Sequence, residues 1–127
     1  KALAEEPERA TPVAEDAVLD EKTFATIREL SKRAGENAGS SIVQLFLRDA
    51  EAQVLELRRL LAQKDGPRIA ACAHALRGSS GNIGARRVML VSDEIDKLAQ
   101  ENRLAQIEPL LMRLEAEFAL AKRAMVA

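Results

Sequence analysis

The sequence has few aromatic residues and few of the residues that carry redox or metal chemistry. Aromatic residues make up 2% of its 127 residues, and Trp and Tyr do not occur, so stacking surfaces for bases or sugars are not expected. A single Cys cannot form an internal disulfide, which fits a reducing cytoplasm. One His and one Cys exclude a His/Cys metal cluster within one chain. No glycine-rich nucleotide loop appears, and no apolar run approaches the roughly 20 residues that a membrane span requires.

The overall charge is nearly balanced. Nineteen basic and twenty acidic residues give a net charge of −1, so nucleic acid is not an expected partner. The content of 47% hydrophobic and 31% charged residues is typical of a globular protein. At this length we expect one compact domain rather than two.

Residues 1–18 differ in composition from the rest of the chain. They are rich in Ala, Glu and Pro, and two basic against five acidic residues give them a net charge of −3. Because this segment has no sustained apolar period, we predict a flexible linker over 1–18 and a folded domain over 19–127. The chain begins with Lys rather than Met, so we expect it to be part of a longer protein.

After residue 18, apolar residues recur at helical spacing and no stretch alternates as a strand would. Asp20 is the predicted N-cap of a first, short helix. Its apolar stripe is formed by Phe24, Ile27 and Leu30. The segment 35–39 predicts a break, and a second helix is expected from Ser40 or Ser41 to Ala62. The inward face of that helix is predicted to consist of Val43, Phe46, Leu47, Ala50, Val54, Leu57 and Leu61.

Three more helices are predicted from stop signals and periodicity. A third helix begins near Pro67, which suits a first helical turn, and ends near Gly84. A fourth helix carries Val88, Val91, Ile95 and Leu98 inward. A fifth runs from about Ala105 to Met125, with Ile107, Leu111, Leu114, Phe118 and Ala121 inward. Short connections favour antiparallel neighbours, so the predicted fold class is all-α: an antiparallel up-down four-helix bundle with a short additional N-terminal helix.

The third helix has an unusual polar face. At about 100° per residue, His74 lies roughly 150° from the centre of the apolar stripe and faces water together with Arg77, Gly78 and Gly81. Two exposed helical glycines cost about 1 kcal/mol each relative to alanine, so we interpret them as clearing room for another surface to approach. An exposed imidazole is a competent nucleophile, and arginine is well suited to binding phosphate oxygens.

Simpler interpretations of these residues stay open. A lone exposed His is usually only part of the surface, and the glycines can simply fray the end of the helix. Ser79, Ser80 and Asn82 can serve only to satisfy local backbone groups. Cys72, near the edge of the buried stripe, is more typical of a small hydrophobe than of a redox centre.

The run from His74 to Ala85, HALRGSSGNIGA, resembles the motif of histidine phosphotransfer (HPt) domains. That motif has a His, a hydrophobic residue two positions on, Lys or Arg and then Gly, small residues, and a hydrophobic-Gly-small ending. The preceding segment 71–73 and the later pair Ile95 and Asp96 fit the family as well. The resemblance extends from about Leu19 to the C-terminus.

The resemblance implies a phosphorelay intermediate of two-component signalling rather than a stand-alone enzyme. His74 would accept a phosphoryl group from a receiver-domain aspartate and donate it to another. Arg77, where the family more often has Lys, would stabilise the phosphate. Gly78, with Ser79 and Gly81, would contribute to the binding surface for the receiver, and Asp96 would orient the imidazole ring.

The resemblance also implies the partners and setting of the domain. Receiver domains of response regulators or of the parent kinase are the expected partners, and the receiver would supply Mg²⁺, so this domain needs no cofactor or metal of its own. A C-terminal module of a bacterial hybrid sensor histidine kinase is the expected context. The isolated domain is expected to be a cytoplasmic monomer without direct membrane contact, even if its parent is anchored in the inner membrane.

Three other interpretations of the sequence are retained. The first is a non-catalytic helical interaction module, in which the same face docks a receiver or another partner without phosphorylation. A plain structural or dimerising bundle would require a large exposed apolar patch away from His74. A dimerisation domain of a sensor kinase would form dimers and normally precede an ATP-binding domain.

Overall fold

The computed structural model describes residues 18–34 and 36–126, which contain helices and no strands. The helices are α1 (Glu21–Ala34), α2 (Glu36–Ala62), α3 (Gly66–Ile83), α4 (Arg86–Gln100), a 3-10 turn (Leu104–Gln106) and α5 (Ile107–Val126). The all-α prediction is therefore confirmed. The predicted linker over 1–18 lies outside the described residues except for Val18, which is partly buried against the core.

Helices α2 to α5 form the four-helix bundle. In the order of the chain each packs against the next, and α5 returns to pack against α2, while α1 lies across α2 and α3. The centre of the bundle consists of aliphatic side chains that are almost fully buried, among them Leu57, Leu60, Ile69, Leu76, Ile95, Leu111 and Leu114. All five residues predicted to face inward from the last helix are buried. Leu60, which the predicted stripe of α2 leaves out, is buried as well.

The two N-terminal helices differ in part from the prediction. Asp20 caps α1 as predicted, because its Oδ1 accepts from the backbone N–H groups of Lys22 at 3.2 Å and Thr23 at 3.3 Å. Leu30 is 49% exposed, so its predicted place on the buried stripe is wrong. Helix α2 begins at Glu36, before the predicted start. A helical glycine costs only about 1 kcal/mol, so Gly39 does not interrupt so long a helix.

Both ends of α3 are fixed by interactions that its sequence predicts. Asp65 caps the N-terminus by accepting from the N–H of Arg68 at 3.2 Å, and Pro67 lies in the first turn. Gly84 ends the helix in the left-handed conformation with φ of 86°. Its carbonyl accepts from the N–H of Asp20 at 2.7 Å, which ties the start of α1 to the end of α3. The helix that carries the exposed His74 is thus held at both ends.

Charged side chains also join neighbouring helices. Arg58 of α2 donates to Glu115 at 2.9 Å and to Glu108 at 3.0 Å on α5, and these hydrogen bonds raise the pKa of the Arg58 guanidinium. The buried carboxylate of Glu117 on α5 pairs with Arg87 of α4 at 3.2 Å. Among the described helices, none combines the length and apolar character needed to cross a bilayer.

Candidate functional site

His74 stands on the outer face of α3 and is open to solvent. Its side chain is 63% exposed, which confirms the predicted outward orientation. One turn further along, a Cβ atom added to Gly78 would meet no heavy atom within 4 Å outside the local backbone. The space above the imidazole is therefore free for the surface of another molecule.

The inner side of the imidazole contacts a buried acid from α4. His74 Nδ1 lies 3.2 Å from Oδ2 of Asp96, whose side chain is only 7% exposed. Since an ionised carboxylate can only accept hydrogen bonds, we assign the proton to Nδ1, which then donates to Asp96. In the neutral ring this leaves the lone pair on Nε2, the nitrogen on the side away from Asp96.

The second oxygen of Asp96 is also hydrogen-bonded. Gln100, one turn later on α4, donates from Nε2 to Oδ1 of Asp96 at 2.8 Å. Because a buried carboxylate without partners is costly, the two hydrogen bonds from His74 and Gln100 satisfy both oxygens in one orientation. Asp96 is therefore fixed on both sides.

Arg77 places a positive charge beside the imidazole. Its Nη2 lies 3.4 Å from His74 Nδ1. Since Nδ1 already donates to Asp96, we interpret this approach as a charge contact and not as a hydrogen bond. The Nε atom of Arg77 faces Asp93 of α4 at 3.7 Å, and Asp93 also pairs with Lys97 at 3.1 Å. The guanidinium thus lies between the acid on α4 and the ring.

The small residues after His74 differ in their surroundings. Gly78 is exposed, as the sequence predicts. Gly81 is half-buried, so the prediction that it is exposed is wrong: an added Cβ would lie 3.1 Å from Sδ of Met89 on α4. Gly81 lets α3 and α4 approach each other. The hydroxyl of Ser79 donates to the carbonyl of Leu76 at 3.3 Å, so it satisfies local backbone.

Cys72 lies on the opposite edge of α3, towards α2. Its thiol points at the carbonyl oxygen of Gln53, with 3.6 Å between Sγ and O. Burial raises the pKa of the Cys72 thiol, and the nearby charge of Glu56 acts in the same direction. The neutral thiol is a poor nucleophile, which agrees with its interpretation as a small hydrophobe.

Three contacts of the site were missed in the sequence. Gln100 and Asp93 lie four residues after and three residues before Asp96 on the same helix, and Met89 lies against Gly81. The spacing of Gln100 from Asp96 is a signal that was available, because residues four apart on a helix are neighbours. The contacts of Asp93 and Met89 depend on how α4 is placed against α3, which the spacing of residues does not give.

The family model described as Hpt domain matches residues 41–124. The fold is similar to that of histidine-containing phosphotransfer protein B (HptB) from Pseudomonas aeruginosa PAO1, with a TM-score of 0.79, 24% identity and coverage of 87% of this chain and 92% of that chain. It is also similar to ZmHP2, a histidine-containing phosphotransfer protein from maize, with a TM-score of 0.75, 25% identity and coverage of 90% of both chains.

A third structure with a similar fold is that of the Saccharomyces cerevisiae histidine phosphotransfer signalling protein Ypd1, which was crystallised with the receiver domain of its downstream response regulator Ssk1. The TM-score is 0.80 at 16% identity, with coverage of 86% of this chain and 92% of that chain. No curated protein sequence matches the chain significantly. These likenesses place the bundle among proteins that share one architecture across bacteria, plants and yeast.

Proposed function

Because the chain belongs to the Hpt domain family and therefore acts as a phosphorelay intermediate in two-component signalling, we propose that His74 is the residue that carries the phosphoryl group. The observation that supports this assignment is the orientation of the ring. Its Nδ1 is directed at a buried carboxylate, while 63% of its side chain is open to solvent. The sequence contains no second histidine that could take this role.

The proposed reaction is an in-line transfer between His74 and a receiver-domain aspartate. The lone pair of His74 Nε2 attacks the phosphorus of the receiver's aspartyl phosphate, the N–P bond forms, and the P–O bond breaks. The receiver's aspartate leaves as a carboxylate. In the reverse direction a receiver aspartate attacks the phosphorus, and the electron pair of the N–P bond returns to Nε2.

Asp96 has a role in both directions of this transfer. When it accepts the Nδ1 proton, it keeps the nucleophilic lone pair on Nε2. Once the phosphoryl group is attached, the same carboxylate balances the positive charge of a ring that still holds the Nδ1 proton. When the N–P bond breaks, a ring that holds the Nδ1 proton leaves as neutral imidazole and not as an imidazolate anion, so Asp96 also prepares His74 to give the phosphoryl group away.

Arg77 supports the phosphorylated state by its charge. Its guanidinium is already within 3.4 Å of the ring, on the side of α4. Phosphate oxygens accept charge-assisted hydrogen bonds from guanidinium N–H groups, so the side chain can exchange its loose pairing with Asp93 for contacts to the phosphoryl group. Because Arg77 and Asp93 are 3.7 Å apart, beyond hydrogen-bond distance, little interaction energy is lost in that exchange.

Receiver domains are the partners of this domain. The Ypd1 co-crystal supports this assignment, because a phosphotransfer protein of the same architecture contacts a receiver there. Gly78 is the proposed point of closest approach, since no side chain fills the space above it. The receiver would provide Mg²⁺ and much of the electrostatic stabilisation of the transferring group, while this domain provides the nucleophile, Asp96 and Arg77.

The wider context is also part of the proposal. A receiver of a response regulator and a receiver within a parent hybrid sensor kinase both have the aspartate that the reaction needs. The single Cys of the sequence is compatible with a cytoplasmic location. We expect the isolated domain to act as a monomer, because one chain supplies both the exposed His74 and Arg77 of α3 and the buried Asp96 of α4.

Incubation with a phosphorylated receiver tests the assignment of His74. We expect the wild-type domain to take up label in an acid-labile form and the His74→Gln variant to take up none. Glu94→Gln, an exposed change on α4, is the matched control and should be labelled as the wild type is. Acid-labile label on His74→Gln would refute the assignment. Equal receiver binding by His74→Ala, with no phosphorylation of the wild type, would instead indicate a non-catalytic docking module.

A further inference from the structure

Gln100 has no assigned role in the bond-forming and bond-breaking steps of the proposed transfer. It is exposed at the end of α4, yet its side-chain amide donates to Asp96 at 2.8 Å, the shorter of the two hydrogen bonds that Asp96 accepts from side chains. The hydrogen bond between His74 Nδ1 and Asp96 is longer, at 3.2 Å. The carboxylate is thus held more closely by its own helix than by the histidine.

Asp96 connects Gln100 to His74 through its two carboxylate oxygens. Gln100 donates to Oδ1 of Asp96, and Oδ2 of the same carboxylate accepts from His74. The carboxylate is nearly enclosed, with 7% of its side chain exposed, so water does not easily replace either partner. Rotation of the carboxylate about its Cβ–Cγ bond would break both hydrogen bonds together. The amide of Gln100 opposes that rotation.

We propose that Gln100 is a positioning residue for phosphotransfer, which acts through Asp96 by fixing the carboxylate in the orientation that keeps the proton of His74 on Nδ1. This inference rests on the proposed role of His74. Without Gln100, Oδ1 loses its donor and the carboxylate is free to turn. The imidazole then spends more time as the Nε2–H tautomer, in which the exposed nitrogen has no lone pair for attack.

The proposal predicts which substitutions at this position are tolerated. Gln100→Ala removes the donor, and Gln100→Glu replaces the donor by a second acceptor with a like charge. Gln100→Lys retains a donor four residues after the acid, where a side chain reaches the carboxylate on a helix. Because Gln100 is exposed, none of these changes creates a cavity in the core.

The test has two measurements on the same variants. The first is ¹⁵N NMR of His74 in the unphosphorylated domain, which reports the tautomer directly. The second is the rate of phosphoryl uptake from a phosphorylated receiver. We expect Gln100→Ala and Gln100→Glu to lower the Nδ1–H fraction and to slow uptake by about three- to tenfold, below the full effect of losing a charge-assisted hydrogen bond. Gln100→Lys should restore both readouts, and Glu94→Gln should change neither.

A double-mutant cycle with Asp96→Ala, which removes both acceptor oxygens, separates this mechanism from a docking effect. If Gln100 acts through Asp96, then Gln100→Ala has no further effect on uptake in the Asp96→Ala background. Additive losses, or slower uptake with an unchanged tautomer, would overturn the proposal. The tautomer measurement needs no receiver, so it tests the role of Gln100 independently of phosphoryl transfer. If the wild-type domain took up no label on His74, that result would refute the proposed function and not the role of Gln100.

Discussion

The imidazole of His74 lies between a buried carboxylate and open solvent. Asp96 accepts from its Nδ1, Arg77 lies beside it, and Gly78 leaves the approach to it clear. The three neighbours contribute in different ways. Asp96 accepts the hydrogen bond from Nδ1, Arg77 places a positive charge beside the ring, and Gly78 has no side chain that would obstruct a partner. Substitutions at the three positions should therefore affect different steps.

Replacement of Arg77 by alanine should slow phosphotransfer without unfolding the domain. A charge-assisted hydrogen bond to phosphate contributes about 1–3 kcal/mol, so we expect uptake to fall by about five- to 150-fold. Arg77→Lys retains the charge and is the control that should keep most of the activity. Single-turnover transfer from a labelled receiver measures the effect. Unchanged kinetics in Arg77→Ala would remove the guanidinium from the mechanism.

Gly78→Leu and Gly81→Leu should have different effects. Leucine at Gly78 extends into open space beside His74, so it should weaken receiver binding while helicity is retained or raised. Leucine at Gly81 has to displace Met89, so it should mainly lower the thermal stability of the domain. Circular dichroism melting and a receiver-binding titration distinguish the two. Equal effects of both substitutions on both measurements would contradict this difference.

At the residue scale the sequence predicts that His74 faces outward but does not predict all of its surroundings. The outward orientation of His74 follows from the apolar period of one helix, and this part of the prediction is confirmed. The half-burial of Gly81 depends on where Met89 of another helix lies, so no property of α3 alone could reveal it. The contact between Arg77 and Asp93 likewise requires the relative placement of two helices.

The helix ends decide where the functional side chains are held. Asp65, Pro67 and Gly84 define α3 in the sequence and again in the structure. The start of α2 was predicted too late, because the sequence signal at 35–39 is a weak one. Glycine in a helix interior costs only about 1 kcal/mol relative to alanine, so tertiary packing can outweigh it. Helix ends marked by a capping side chain or by a glycine in the left-handed conformation are therefore easier to predict than interruptions marked only by low helix propensity.

The turn between α2 and α3 contains a residue in a strained conformation. Lys64 has φ of 57°, in the left-handed region that costs a residue with a Cβ roughly 1–2 kcal/mol. Lys64→Gly should remove this cost and raise the free energy of unfolding by about 0.5–1 kcal/mol, after the extra entropy of glycine in the unfolded chain is counted. Chemical denaturation measures the change. A loss of stability would show that the Lys64 side chain contributes more than its strained backbone costs.

At the scale of the whole molecule, the exposed large apolar side chains of the described residues are distributed over α1, α2 and α5. Leu45 and Leu55 are on α2, while Met112 and Leu120 are on α5. Charged pairs such as Arg58 with Glu115 cover the boundary between these two helices. Scattered apolar residues are normal on protein surfaces and do not predict dimerisation.

Sedimentation of the isolated domain tests this expectation. We expect the mass of one chain at micromolar concentration, with no change when the concentration is raised tenfold. The His74→Gln variant should sediment in the same way, since the exposed imidazole makes no contribution to assembly. A stable dimer would favour a dimerisation domain, in which the face of α3 is buried against a second copy.

The phosphorylated atom of His74 is measured most directly by NMR of the domain with ¹⁵N-labelled histidine after phosphorylation by a receiver. We expect an N–P bond at Nε2 of His74, with the proton of Nδ1 still directed at Asp96. A phosphoryl group on Nδ1, or on any residue other than His74, would contradict this expectation.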